Sequence, residues 1–223
     1  MLRAIAEGRT DLVFDWLADG GAANAEDGDG VPIIRWCAYY GDVSALKYLL
    51  DHGERLEVLG FDLGLNAAAF HGHWQLSAFL IERGADPNQA HPDTRETPLH
   101  AAFTKFASVP HERVVEVLLA AGARTEARTA SAMPTNAFMR DVRTCGETPL
   151  HRAAAYGTTA AIRLLLAAGA RIDARDDCGD SPLTWASRAL RSAEVLNLLC
   201  FPPHHVYADR QPIMDMLIGR PVR

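Results

Sequence analysis

Apolar residues recur along this chain in short blocks, each of which fits one face of a helix. Leu150, Ala153 and Ala154 follow Thr148-Pro149 and are closed by Gly157; Ile162, Leu165 and Leu166 follow and are closed by Gly169. Spacings of three and four residues place each set on one helical stripe. Thr148 predicts a side-chain cap at a helix start. Pro149 suits the first helical position, where a missing N–H costs nothing. Gly157 predicts a helix end at positive φ. The stretch 146–175 therefore predicts turn, helix, turn, helix in about 33 residues, a unit too thin to bury its own apolar stripe.

Copies of the unit run through the chain. Thr97-Pro98-Leu99-His100 leads to Val114, Leu118, Leu119 and Gly122, and Ser181-Pro182-Leu183-Thr184 leads to Val195, Leu198 and Leu199. Leu65, Ala68, Ala69 and Gly72 lead to Phe79-Leu80-Ile81 and Gly84-Ala85-Asp86-Pro87-Asn88. Pro32-Ile33-Ile34 and Gly41 lead to Leu46, Leu49, Leu50 and Gly53; Leu12, Trp16 and Leu17 give a shortened first copy. Thr97–His100, Thr148–His151, Gly84–Asn88 and Gly169-Ala170-Arg171-Ile172-Asp173 carry the motif most fully, and the chain resembles the ankyrin repeat family. The resemblance implies an all-α right-handed solenoid of stacked helix-turn-helix units with finger-like turns, and a role in binding proteins.

One elongated domain is expected over 1–223: an amino-terminal cap repeat over 1–25, five repeats over 26–201, and a capping helix over 202–223. Pro32-Ile33-Ile34-Arg35 and Leu63-Gly64-Leu65-Asn66 replace the motif in the second and third repeats, where helix starts should be poorly capped. The link between the helices of the fourth repeat is longer than elsewhere, through Lys105–His111, and Pro110 is placed to open the second helix. A larger insertion, 129–143, is expected as a loop carrying Met133, Phe138 and Met139. Ile213, Met214, Met216, Leu217 and Ile218 are expected on the final capping helix.

Charge narrows the partner. Up to Pro110 there are eight Lys/Arg against sixteen Asp/Glu, and from His111 onward fourteen against twelve. An acidic amino-terminal half argues against nucleic acid, whose phosphates need a basic footprint, and suits a basic protein partner. Met1–Gly8 already reads as helix, so no secretory leader is expected. No run approaches the ~18 apolar residues of a membrane span. The expected setting is cytoplasmic and the expected state a monomer; heavy use of Ala, Arg and Gly suggests a GC-rich bacterial genome.

Candidate chemistry is thin. Cys37 falls at a small inner helix position, Cys200 follows the last Leu pair, and Cys145 and Cys178 occupy equivalent turn positions one repeat apart. Stacking would separate those two by roughly 10 Å, beyond the ~7 Å Cα limit of a disulfide, so four reduced thiols are expected. His100 and His151 are the tempting catalytic groups, but the resemblance makes them structural, bonding polar groups around the turns and joining neighbouring repeats. His71-Gly72-His73 and His204-His205 lack metal-pair spacing. There is no phosphate loop and no nucleophile elbow. No cofactor, no metal and no catalytic activity are expected.

A surface remains. The resemblance places turn tips and the exposed ends of first helices on a concave face. Aligned repeat by repeat, those positions hold Tyr39, Tyr40, Phe70, His71, Lys105 and Tyr156 on helices and Asp29, Asp62, Glu96 and Glu147 on turns. Phe138 and Met139 of the insertion are added as contact residues. The expectation is an interrupted aromatic strip bordered by acids, with Trp36 and Trp185 one step inward. Tyr and Trp are enriched at interface hot spots. The function expected is a non-catalytic adaptor or inhibitor. Two alternatives stand beside it: an immunity or regulatory protein neutralising a toxin or enzyme, and an enzyme with an unrecognised site.

Overall fold

The computed structural model describes residues 1–103, 108–135 and 143–204. Six helix pairs follow one another among them: α1 (Leu2–Ala6) and α2 (Leu12–Ala18); α3 (Ile33–Tyr40) and α4 (Val43–Asp51); α5 (Leu65–His71) and α6 (Trp74–Glu82); α7 (Pro98–Ala101) and α8 (Val109–Ala120); α9 (Pro149–Tyr156) and α10 (Thr159–Ala167); α11 (Pro182–Arg188) and α12 (Ala193–Leu198). First helices pack on first helices, α3 on α5, α5 on α7, α7 on α9 and α9 on α11. Second helices do the same from α2 through α10. This is an all-α repeat stack. Its core is one ribbon of Leu, Ile, Val and Ala from Ile5 to Leu199, formed because each thin pair buries its stripe against the next.

Local sequence sets the ends of the pairs. Thr97, Thr148 and Ser181 cap α7, α9 and α11 in reciprocal boxes, each with Pro in the first turn. The start of α3 at Pro32 has no side-chain cap. The start of α5 is not bare, however. Asp62 accepts hydrogen bonds from the Gly64 and Asn66 N–H groups at 3.0 and 2.9 Å and does the capping that Leu63 and Gly64 cannot. Gly41 and Gly72 end α3 and α5 in the left-handed conformation. Gly157 does not: its φ is −75°. Glycine is required there for a different reason, because a Cβ would collide with the Ala153 carbonyl.

The insertion is not simply a loop. Its base is an antiparallel pair, β1 (Ser131–Pro134) with β2 (Arg143–Cys145), in the register Ser131↔Cys145 and Pro134↔Arg143. The buried Thr144 hydroxyl bridges the Met133 N–H and carbonyl across the pair, both at 3.2 Å. Lys105, Phe138, Met139 and all but residues 202–204 of the segment read as a final capping helix lie outside the described residues.

Candidate protein-binding surface

Two of the sequence-predicted turn acids are not on the surface. Glu96 is 5% exposed and Glu147 2% exposed. Both pair with Arg152, itself buried at the middle of α9: Arg152 Nη2 lies 2.6 Å from Glu96 Oε1 and 2.7 Å from Glu147 Oε1. Glu147 Oε2 also accepts from the Thr129 hydroxyl and the Cys145 N–H, each at 2.7 Å. Glu96 Oε1 accepts from the Thr135 hydroxyl at 2.5 Å. Burial alone would raise the Glu147 pKa, but Arg152 and these donors outweigh it and hold the carboxyl below its ordinary value. The triad joins the turn before α7, the turn before α9 and the start of the hairpin. Asp62, 8% exposed, is likewise withdrawn into its capping role. Of the four acids placed on turns, Asp29 alone is exposed.

Arg152 was the residue sequence reading missed. It lies five positions before the closing Gly157, as Trp36 does before Gly41. Trp36 and Trp185 are tied to their own turns in the same way: each indole N–H donates to an Asp nine residues earlier, Asp27 at 2.8 Å and Asp176 at 2.9 Å. The shared spacing of Asp, Gly and Trp in 27–36 and 176–185 is the signal that could have found these ties.

The motif histidines are structural. His100 Nδ1 accepts the Thr97 N–H at 3.2 Å, so Nε2 carries the proton and donates to the Glu147 carbonyl of the next repeat, also at 3.2 Å. His151 repeats this with Thr148 and the Asp180 carbonyl, at 3.2 and 3.1 Å. Burial, assisted by Arg152, drives His100 down to about 3, and burial lowers His151. Both are neutral imidazoles whose two nitrogens are committed, which removes them as general bases.

The aromatic positions gather on the first three repeats. Tyr39 is 50% exposed and Tyr40 40%. Their rings meet edge to face at 5.0 Å; Tyr39 meets His71 at 4.8 Å, and Phe70 meets His71 at 5.1 Å. The half-buried Trp36 backs both tyrosines, 6.0 Å from Tyr39 and 6.5 Å from Tyr40. Tyr40 spends its hydroxyl on the Ala6 carbonyl at 3.0 Å, which fixes its ring against the first repeat. Phe70, His71 and Tyr156 are half-buried. Tyr156 lines a narrow crevice with Ala102, Phe103 and His111 between the fourth and fifth repeats. Among the described residues, no group of three His, Cys, Asp or Glu side chains is placed to hold a metal ion, and no helix is long and apolar enough to cross a membrane.

The stack defines a class, and comparison with known proteins agrees with it. Residues 130–210 match the family model described as "Ankyrin repeats (3 copies)". Cattle "Ankyrin repeat and SOCS box protein 3" is 29% identical over 190 residues, covering 83% of this chain and 33% of its own. Human "Ankyrin repeat and SOCS box protein 16" is 28% identical over 215 residues, 85% of this chain and 47% of its own. A nematode (Caenorhabditis elegans) "Transient receptor potential cation channel subfamily A member 1 homolog" is 30% identical over 142 residues, 62% of this chain and 10% of its own. The chain is similar to ankyrin repeat proteins, and the family model covers its residues 130–210. It spans about a third of the length of the first of these relatives. All three are animal proteins and lend no support to a bacterial source. Ankyrin repeats generally mediate protein–protein interaction.

Proposed function

We propose that this chain is a recognition module of an adaptor or inhibitor, holding a protein partner on the face made by its turns and first helices. The observation that carries this reading is the cluster of Tyr39, Tyr40, Phe70 and His71 over Trp36. It presents exposed ring area held by ring contacts and by the Tyr40 hydroxyl bond, so little rotamer freedom is lost on binding. The relatives support the modular half of it: proteins as different as a SOCS box protein and a cation channel homologue share this region, so the region's task is separable from what those whole proteins do. The cytoplasmic setting and monomeric state expected from the sequence go with the same proposal.

The test compares two double variants, folded by circular dichroism. Tyr39→Ala with Phe70→Ala should weaken partner binding by about thirty-fold for each central ring, on the order of 2 kcal/mol per ring. Lys47→Ala with Arg163→Ala alters exposed second-helix positions and should bind as wild type. The opposite pattern would place the partner on the other face.

A further inference from the structure

The stretch that leaves α8 and enters β1 lines an open groove of about 1050 Å³, to which Asn88 and Arg95 contribute from the turns before α7 and Asp177 from the turn before α11. Two ties hold its walls. Asn88 donates to the Gly122 carbonyl at 3.0 Å and accepts from the Arg124 N–H at 2.8 Å. The Asp177 N–H donates to the Cys145 carbonyl at 2.7 Å, drawing the end of β2 against the following turn. Gly146 permits that approach, because a Cβ there would overlap the Asp177 carboxylate. Three exposed arginines line the groove: Arg95, Arg124 and Arg128. Its acids are already engaged. Asp177 accepts from Arg128 at 2.8 Å and from the Ser131 hydroxyl, and Glu126 accepts from the Arg171 N–H at 2.9 Å. Among the described residues, the Arg95 and Arg124 guanidinium groups have no hydrogen-bond or ion-pair partner.

Arg95 is also strained where it stands. Its φ is +57°, in the left-handed region that residues with a side chain rarely adopt. It lies two residues before the cap of α7. Gly30, Gly146 and Gly179 hold the equivalent position before the caps of α3, α9 and α11, at φ of +76°, +67° and +81°. Three repeats thus use glycine where the fourth keeps a side chain, and strain of this kind gathers at sites that clamp a ligand. We propose that this groove binds an acidic segment of a protein partner, with Arg95 and Arg124 pairing with its Asp or Glu carboxylates. A guanidinium meets a carboxylate through two parallel N–H···O bonds, which fixes orientation as well as attraction. The whole chain carries a net charge of −6, so an extended phosphate backbone would be repelled by the rest of the surface, whereas a short acidic segment meets only the local arginines. The groove shares no residue with the Tyr39 cluster. It is a second surface, and it does not rest on the function proposed above.

The test selects a random peptide library, displayed on phage, against the full chain. Sequences rich in Asp and Glu should be enriched. A labelled peptide from that set, followed by fluorescence anisotropy, should bind about ten-fold more weakly to Arg124→Gln and to Arg95→Gly. Glycine suits the positive φ, so Arg95→Gly should melt no lower than wild type while it loses binding, which separates a ligand contact from a structural role. Tyr39→Ala with Phe70→Ala should bind the peptide as wild type does, which separates this groove from the aromatic surface. Inorganic phosphate and a single-stranded oligonucleotide, each at the concentration of the peptide, should not displace it. The proposal is overturned by a selection that yields no acidic sequences, by undiminished binding to both arginine variants, or by an Arg95→Gly protein that melts well below wild type. Loss of binding in the Tyr39→Ala/Phe70→Ala protein, or displacement by phosphate or the oligonucleotide, overturns it equally.

Discussion

Single residues in this protein divide by whether their partners are local. The Thr-Pro-Leu-His motif is legible because cap, proline and histidine sit within four positions and its geometry is local; both histidines occupy the roles their recurrence implied. Its pH consequence follows. A histidine held neutral below its unfolded pKa of ~6.5 leaves the unfolded chain binding more protons, so stability is full above ~6.5 and falls as pH drops toward the folded value. For His100 that fall extends toward about 3. Urea midpoints taken from pH ~7 to ~5 should decline by at most about 1.4 kcal/mol per pH unit per histidine, while the His100 ring resonance stays unshifted over that range. A ring that titrates near ~6.5 would show that the imidazole is not sequestered. Arg152 was illegible because its partners come from the turns before α7 and α9, and the two turn glutamates read as ordinary surface acids. Removing it leaves two buried carboxylates facing each other. Arg152→Ala should therefore cost about 3–5 kcal/mol in denaturant unfolding, whereas a cost under ~1 kcal/mol would show that water reaches the triad.

At the scale of elements, the pairs are predicted by their stripes and the links between them are not. In three pairs a side chain at or just before the second helix reaches back over the closing glycine of the preceding pair's first helix. His73 donates to the Tyr39 carbonyl at 2.9 Å, and a Cβ on Gly41 would strike its ring. His111 reaches the Phe70 carbonyl at 3.2 Å over Gly72. In the last pair Arg191 donates to the carbonyls of Ala154, Ala155 and Gly157. Helix ends leave carbonyls without intrahelical partners, and these links satisfy them from the next repeat, coupling neighbours edge to edge. Sequence reading singled out His73 only as half of an unsuitable metal pair, since histidine and arginine do the same job here and no common letter marks the position. Arg191→Ala should cost on the order of 2 kcal/mol and should speed amide exchange in α11 and α12 ahead of the earlier repeats. Uniform exchange, or a cost near zero, would show that the apolar ribbon alone couples the last pair. The hairpin was illegible for a related reason: its pairing depends on Thr144 and on an approach to the following turn, neither of which leaves a periodic trace.

For the whole molecule, the stack fixes where charge can act on a partner. The amino-terminal half carries the acidic excess, but Glu96 and Asp62 are withdrawn from its surface, leaving Glu26, Asp29 and Asp93 exposed on the turns. If the aromatic cluster holds a basic partner, these three set the rate of encounter and the rings set the lifetime of the complex, because exposed charges steer while desolvated rings resist dissociation. Reversing Glu26 and Asp29 to Lys should slow association by several-fold at low ionic strength and leave dissociation nearly unchanged. The effect should shrink above ~0.1 M salt, where screening acts over ~10 Å. Glu96→Gln should lower stability through the Arg152 triad without a salt-dependent change in association rate. Association and dissociation rates for the three proteins across a salt series distinguish these roles. An equal slowing by Glu96→Gln, or an Asp29 effect confined to dissociation, would mean that charge on this face contributes contacts rather than steering.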